Sequence, residues 1–176
     1  IAQGIVVERE HQEVWDLFRL IAPQEFINEN IVRYEVFDDA NDGTAAYVSP
    51  SEDNPSLWVL GVNVDATHPN GQLDRSETVY TLIHEFAHVL TLEADQVPPD
   101  VSEDQSGAAN CQTFYTGEGC SYVDSYINRF FNSYWKDIYN ELPREGASQD
   151  AFQAFYDKYQ ERFVTDYAAT NPGEDI

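Results

Sequence analysis

The sequence predicts an α+β fold in which a small mixed sheet lies upstream of a central helix and a mainly helical part follows. Three observations support this prediction. Hydrophobic residues recur at helical spacing near the start of the chain, strand-like segments follow between residues 31 and 65, and amphipathic helical patterns dominate after residue 120. We expect one domain over residues 1–176. Residues 1–95 would hold the first helix, the sheet and the central helix, and residues 96–176 a loop-rich segment and then helices.

Composition indicates a globular, strongly acidic protein. The chain has 176 residues, of which 42% are hydrophobic and 14% aromatic, enough to build a core despite the charge. Thirty-two acidic residues against nine basic ones leave a formal charge of −23, which repels nucleic acid and anionic membranes and favours a basic substrate. No apolar run approaches the ~20 residues that span a bilayer. We therefore expect no nucleic-acid partner, no membrane insertion and a monomer.

The two cysteines stand close together in the segment "CQTFYTGEGC", as Cys111 and Cys120. A disulfide between them would close a short loop with little regular structure of its own. The alternative is a pair of free thiols in a reducing cell. The chain starts at Ile1 rather than Met, which favours a processed, exported protein. We expect the disulfide and a secreted, extracellular location.

Each element before the central helix has a local signal. The segment "VEREHQEVWDLFRLIAP" has helical spacing and stops at Pro23. The segments "IVRYEVFDD", "TAAYVSP" and "SLWVLGVNVD" are rich in β-branched and aromatic residues and predict strands. The run "DDANDG" predicts a turn between strands. It does not predict a calcium loop, because the EF-hand pattern needs Asp or Asn where Ala40 stands and Glu where Ser49 stands.

Two helices are predicted in the last third of the chain. The segment "SYVDSYINRFFNSYWKDIYNELP" reads as one long helix, and two stripes of large residues are predicted to face the core: Tyr122, Tyr126, Phe130 and Tyr134, and beside them Ile127, Phe131 and Ile138. A further helix begins after Ser148 as its N-cap, with four aromatic residues facing inward: Phe152, Phe155, Tyr159 and Phe163.

The central helix contains "TLIHEFAHVL" and is predicted to run from an N-cap at Asp74 to about Glu93. Residues four apart share one helix face, so His84 and His88 can direct two imidazoles at one cation. Glu85 is offset by about 100° and can reach a water beside that cation. Two nitrogen ligands and a general base are what an HExxH motif supplies to zinc. The alternative is a chance pattern on a packed helix, whose apolar neighbours would leave three buried polar side chains in need of partners.

The third ligand is left open by the motif alone. Thr91 and Ala94 stand where the extended pattern HExxHxxGxxH needs Gly and His, so that class is excluded. His11 and His68 fall in a helix and a turn and are unattractive ligands. A carboxylate is therefore expected, and the candidates are Glu93, Asp95, Asp124, Asp166 and Glu174. For the last of these, the alternative role is to complete a capping box with Asn171 as N-cap.

The segment "YAATNPGE" places Tyr167 seven residues before Glu174. Together with "HEFAH" it resembles the glutamate-zincin metallopeptidases of the lethal-factor and Pro-Pro endopeptidase type. The resemblance implies a zincin-like fold and a zinc metalloendopeptidase that hydrolyses peptide bonds with a zinc-activated water. By the same resemblance His84, His88 and Glu174 would bind one Zn²⁺, Glu85 would be the general base and Tyr167 would donate to the oxyanion.

The resemblance also implies an edge strand that binds extended substrate upstream of the motif helix. The segment 56–65 is the candidate, through Trp58, Leu60 and Val62, and a central core strand is the alternative. In such enzymes the helix that carries the glutamate continues for several turns, so we expect the chain to have been truncated, cleaved or followed by a disordered tail. If the chain does end here, Asp166 or Glu93 becomes the better candidate for the third ligand. The stretch from Val89 to Tyr126 does not align with the family.

Two other functions compete with the peptidase. One is a non-catalytic acidic binding module whose zinc site is structural or vestigial. The other is an inactive relative with an intact motif and a blocked cleft. Nothing in the sequence specifies the residues that flank the cleaved bond.

Overall fold

The computed structural model describes residues 8–39, 43–98, 111–117, 119–144 and 146–176. By its internal contacts the chain divides into two units, Ile1–Leu90 and Thr91–Ile176. The first unit contains the helices and strands α1 (Arg9–Ile21), α2 (Gln24–Asn30), β1 (Ile31–Phe37), β2 (Ala46–Pro50), β3 (Trp58–Asn63), α3 (Val64–Thr67) and all but the end of α4 (Arg75–Leu92).

Helix α1 confirms the first predicted helix. Its inward residues Val14, Leu17 and Phe18 are buried, and it ends before Pro23, where the amide of Ala22 donates to the carbonyl of Phe18 at 2.9 Å. Proline fits there because it has no amide proton to continue the helix, yet can precede a new one. Helix α2 follows at once, and the sequence pattern did not predict it. Val7, the first residue of the predicted segment, lies outside the described residues.

The sheet has three strands in the order β1-β3-β2. Strand β1 pairs with β3 in parallel, with Tyr34 beside Leu60, and β2 pairs with β3 antiparallel, with Val48 on the other side of Leu60. The prediction of a small mixed sheet is therefore confirmed. Part of the predicted turn "DDANDG" lies outside the described residues.

The candidate edge strand is a central strand. Trp58, Leu60 and Val62 lie in β3, which has a neighbour on each side, so the prediction that they form an edge is wrong. Every residue of β3 is buried, as expected of a strand with a neighbour on each side. A strand covered on both faces and paired along both sides is apolar nearly throughout, whereas an edge strand keeps one side open.

One face of the sheet packs against the helices of the first unit. Leu60 and Val62 of β3 belong to a single hydrophobic cluster with the inner faces of α1, α2 and α4, which include Phe18, Ile27 and Leu82. On the opposite face the side chain of Tyr47 on β2 crosses Gly61 on β3 and donates a 2.9 Å hydrogen bond to the Glu35 carboxylate on β1. One tyrosine thus links all three strands.

Helix α4 begins where the sequence predicts. The Oδ1 atom of Asp74 accepts from the amide of Glu77 at 3.2 Å, as an N-cap does. The amide of Asp74 donates to the carbonyl of Thr67 at 2.9 Å. In a capping box the side chain of Glu77 would have accepted this hydrogen bond. The helix ends at Leu92, one residue before the predicted end.

The second unit contains three helices in its described part, α5 (Tyr126–Phe130), α6 (Gln149–Tyr159) and α7 (Pro172–Asp175). Helix α5 continues into a π-helical turn at Phe131–Trp135, and 3₁₀ turns lie at Tyr139–Glu141, Gln160–Arg162 and Ala168–Thr170. The predicted single long helix is therefore interrupted. Ser148 caps α6 as predicted, accepting from the amide of Ala151.

The tyrosine stripe predicted to face the core is largely exposed. Tyr122, Tyr126 and Tyr134 are 47%, 53% and 60% exposed, so this prediction is wrong for them. The helix begins only at Tyr126, so Tyr122 lies before it, and the π turn that contains Tyr134 breaks the four-residue spacing on which the stripe was based. The second stripe is in the core as predicted, with Ile127 and Ile138 buried.

Two hydrophobic clusters form the core of the second unit. One cluster contains Trp135 together with Phe155 and Phe163. These two phenylalanines are among the four aromatic residues predicted to face inward from the helix that follows Ser148. The other consists of Val97, Phe114 and Ile127, with Ile176 packed against it. The predicted disulfide joins Cys111 to Cys120, with their Cα atoms 5.6 Å apart, and closes the loop that carries Phe114. Within the described residues, no helix has the length and apolar character that crossing a membrane requires.

Candidate metal centre

His84 and His88 bring their imidazole nitrogens together on α4. The two Nε2 atoms lie 2.9 Å apart, and the rings meet nearly at right angles, with centroids 4.4 Å apart. A separation of four residues turns an α-helix by about 400°, so both side chains leave the same face one turn apart. The convergence that the sequence predicted for this pair is confirmed.

The nitrogen separation agrees with the ligand geometry of zinc. Two nitrogens at about 2.05 Å from a tetrahedral zinc ion are separated by about 3.3 Å, so the observed 2.9 Å needs only a small rotation of one ring. Both histidines are half-buried. Half-buried imidazoles can still receive an ion from solvent, and their neutral form is the commonest zinc ligand.

Glu85 lies next to this pair and is almost entirely buried, with 6% of its surface exposed. Its apolar neighbours on the helix are Leu82 and Val89, which are also buried. Burial of a carboxylate costs several kcal/mol unless charged or hydrogen-bonding groups compensate it. A carboxylate in that setting, directly after one of two converging imidazoles, is the pattern expected of a functional site.

Glu174 occupies the third position of α7 in the second unit and is half-buried. Asn171 caps this helix as predicted, because its Oδ1 atom accepts from the amides of Gly173 at 2.8 Å and of Glu174 at 3.2 Å. Pro172 stands at the first helical position and is buried. The cap and the proline therefore set the backbone of Glu174.

Tyr167 presents a phenol to solvent on a fixed backbone. Its residue is 56% exposed. The Tyr167 amide donates to Oδ1 of Asp166 at 3.0 Å, and its carbonyl accepts from the amide and the hydroxyl of Thr170 at 3.0 and 2.7 Å. These bonds fix the backbone of Tyr167, and a tyrosine hydroxyl is able to donate a hydrogen bond to a ligand.

The remaining candidate carboxylates differ in exposure. Asp95, Asp124 and Asp166 are exposed, and Glu93 is half-buried. Exposed carboxylates are common on an acidic surface and carry no signal by themselves. Asp166 already accepts from the amide of Tyr167, which ties it to the turn.

The other two histidines described have structural contacts, as expected of unattractive ligands. His68 is buried; its Nδ1 lies 3.0 Å from Oγ1 of Thr67 and its Nε2 3.4 Å from a carboxylate oxygen of Glu13. The hydrogen bond from Arg9, and after it that from His68, hold the pKa of the Glu13 carboxyl below its usual value. The backbone carbonyl of His11 accepts from the hydroxyl of Tyr34 at 3.1 Å.

One contact beside Glu174 was not predicted. Nε1 of Trp135 donates a 2.8 Å hydrogen bond to Oδ2 of Asp175, 40 residues along the chain. Burial raises the pKa of Asp175 above its usual value, and the bond from Trp135 opposes that rise. The only sequence signal is the adjacency of Asp175 to Glu174, because a pair so far apart leaves no spacing pattern.

The side chains on α4 have the chemistry of a divalent-cation site with an acid–base group beside it. Two imidazoles suit zinc, and one carboxylate would complete a three-ligand set that leaves a position open. Comparison with protein-family models, with curated proteins and with solved structures finds no match for this chain.

Proposed function

We propose that this chain is a zinc metalloendopeptidase with a zincin-like fold. The observation that carries the proposal is the 2.9 Å approach of the His84 and His88 Nε2 atoms on one helix, with the buried Glu85 between them in sequence. Two nitrogen ligands and an adjacent carboxylate provide metal binding and proton transfer together. The resemblance of "HEFAH" and "YAATNPGE" to glutamate-zincins supports the same conclusion.

We propose Glu174 as the third ligand. It is supported by the seven-residue spacing from Tyr167 and by the cap at Asn171, which fixes the backbone that presents the carboxylate. His84, His88 and Glu174 would then hold one Zn²⁺ with an open fourth position.

Zinc, when bound, would supply Lewis-acid activation of a water molecule and of the scissile carbonyl. Glu85 would accept the proton that the attacking water loses and pass it to the leaving amine. The hydroxyl of Tyr167 would donate a hydrogen bond to the carbonyl oxygen as negative charge develops on it. Burial of Glu85 excludes bulk water from the carboxylate that moves the proton.

The substrate in this proposal is an extended peptide. Because β3 is central, β1 and β2 are the strands that have an open side within the described residues, and one of these two would pair with the substrate backbone. The formal charge of −23 favours basic peptides. A secreted monomer is the expected form, and the disulfide is compatible with an oxidising environment.

The first test separates metal binding from catalysis. We expect Glu85→Gln to bind zinc like the wild type and to lose peptidase activity by about 10²–10⁴-fold, because the amide cannot accept the proton. His84→Ala should lose both zinc and activity. Zinc is measured by elemental analysis of the purified protein, and activity with denatured casein and a peptide library.

Glu77→Gln is the matched control, because Glu77 lies exposed at the start of the same helix. It should leave zinc content and activity unchanged. Activity should also disappear with a chelator and return with added zinc. A wild type that binds zinc but hydrolyses nothing would favour the binding-module alternative, and full activity in Glu85→Gln would refute the mechanism.

A further inference from the structure

The short helix that carries Glu174 needs support from the rest of the second unit. Helix α7 has four residues, far below the length at which a helix is stable alone. The Asn171 cap orients its first amides but does not attach the helix to the core. Whatever fixes the direction of the Glu174 side chain must therefore come from tertiary contacts.

The segment around α7 packs into both clusters of the second unit. Ala168 and Ala169 are buried in the cluster of Trp135, and Ile176 packs against the cluster of Val97, Phe114 and Ile127. These contacts are apolar and therefore weakly directional. They hold the segment against the core but do not set the rotation of α7.

A directional tertiary contact at α7 is the hydrogen bond from Trp135 Nε1 to Asp175 Oδ2 at 2.8 Å. Trp135 is 0% exposed, and its ring is held by Phe163 and Phe155, with centroids 5.1 and 6.1 Å away. The indole has a single donor, so a fixed ring fixes the direction of the bond. Trp135 ends the π-helical turn, an irregularity often found at functional sites.

Asp175 directly follows Glu174, so the two side chains leave α7 about 100° apart. When Trp135 holds the carboxylate of Asp175, the rotation of α7 is restricted, and with it the direction in which the Cα–Cβ bond of Glu174 leaves the helix. We infer that Trp135 and Asp175 are positioning residues that orient Glu174 for metal binding. The inference rests on the proposed function, in which Glu174 is a zinc ligand.

The test compares variants that remove the hydrogen bond with one that keeps it. Asp175→Ala removes the acceptor and Trp135→Phe removes the donor, whereas Asp175→Asn retains an oxygen that can accept from the indole. We expect the first two to weaken zinc binding about 10-fold or more, as loss of a supporting partner does. Asp175→Asn should retain near wild-type affinity. Affinity is measured on the full chain by competition with a chromogenic zinc chelator.

A purely structural role is distinguished by a matched control. Ser148→Ala removes the cap of α6 and leaves both partners of the Trp135–Asp175 hydrogen bond in place, so it should lower the melting temperature by about 3 °C without changing zinc affinity. Asp175→Ala should lower the melting temperature by a similar amount but change zinc affinity as well. That difference between the two variants is the signature of positioning.

Two results would overturn the inference, and they can be told apart. If Glu174→Ala weakens zinc binding but Asp175→Ala and Trp135→Phe bind zinc like the wild type, the positioning role fails and the ligand assignment stands. If Glu174→Ala itself binds zinc like the wild type, the ligand assignment of the proposed function fails and the inference fails with it.

Discussion

Gly61 lies at the middle of β3, and the ring of Tyr47 occupies the space that a side chain would need. A Cβ atom at this position would stand 2.2 Å from the tyrosine ring, which is too close for two carbon atoms. The glycine therefore allows Tyr47 to cross the sheet and reach Glu35. A glycine at this one position is thus what allows a single tyrosine to contact all three strands.

We predict that Gly61→Ala destabilises the protein by about 1–3 kcal/mol, because the ring of Tyr47 must move and its bond to Glu35 is strained or lost. Urea unfolding measures the loss. Gly43→Ala is the control, since no atom lies within 4 Å of a Cβ there, and should change the free energy of unfolding by less than about 0.5 kcal/mol. In a Tyr47→Ala background the cost of Gly61→Ala should largely disappear. An equal cost in both backgrounds would contradict the explanation.

Tyr34 makes stability depend on pH in the alkaline range. Burial raises the pKa of Tyr34 well above its ordinary value of 10.0, so the folded state holds the phenolic proton more tightly than the unfolded state. Its contribution to stability is therefore complete below about pH 10 and is lost as the pH rises further.

We predict that Tyr34→Phe loses about 1 kcal/mol at neutral pH with its hydrogen bond to the His11 carbonyl. Above about pH 10 its stability should fall less steeply than that of the wild type, because the titrating group is gone. Urea unfolding at a series of pH values measures the slope. Tyr80, which is 61% exposed, gives the control Tyr80→Phe, and that variant should keep the wild-type slope. Parallel curves for Tyr34→Phe and the wild type would contradict the prediction.

At the scale of elements, the disulfide loop contributes to the core of the second unit. Phe114, inside the loop closed by Cys111 and Cys120, stacks on Phe131 with ring centroids 4.6 Å apart. The side chain of Asn128 supports the loop by accepting from the amide of Phe114 at 3.1 Å. The loop thus contributes the buried ring of Phe114 and buried hydrogen bonds at its backbone, to Asn128 and to Ser121.

We predict that the double variant Cys111→Ser/Cys120→Ser lowers the free energy of unfolding by about 2–3 kcal/mol, the loss expected for a loop of this length. Denaturant unfolding measures it. As a control, a reducing agent should destabilise the wild type by a similar amount and leave the double variant unchanged. A variant as stable as the oxidised wild type would show that packing of Phe114 alone holds the loop.

The sequence predicted elements well where the determinant is local. The caps Asp74, Ser148 and Asn171 were identified because an N-cap acts within three residues of itself. His84 and His88 were paired for the same reason, since residues one helical turn apart always share a face.

Other features were not predictable because they depend on distant residues. The place of β3 between β1 and β2 is decided by pairing across the sheet, and an apolar segment alone does not distinguish a central strand from an edge strand. The prediction for the tyrosine stripe was wrong because the predicted helix is not continuous: it begins only at Tyr126, and its period changes in the π turn that contains Tyr134. The bond from Trp135 to Asp175 joins residues 40 positions apart and has no sequence signature.

At the scale of the whole molecule, charge is the dominant feature. A formal charge of −23 on 176 residues produces self-repulsion that opposes folding at low ionic strength. Few cations are available to offset it, and Arg162 already forms a bidentate pair with Asp137 at 2.9 and 2.7 Å. The ion pair with Arg162 keeps the pKa of the Asp137 carboxyl below its usual value.

We predict that the melting temperature rises by several degrees as NaCl increases from about 10 mM to about 0.5 M at neutral pH, because salt screens the repulsion. Thermal unfolding followed by circular dichroism measures the change. Near the isoelectric point of about 4.1 the net charge vanishes, and the same salt series should have little effect. A salt response of equal size at both pH values would show that repulsion is not its cause.

The strand order also constrains the path by which the chain folds. Strands β1 and β2 precede β3 in the chain, yet each of them pairs with β3 and not with the other. No hairpin of β1 and β2 can therefore serve as an early native intermediate, and both strands lack their partner until Trp58–Asn63 has been synthesised. During synthesis the backbone edges of β1 and β2 therefore stay unpaired until β3 has emerged. Unpaired strand edges are prone to aggregation, and this is the stage at which a chaperone would protect them.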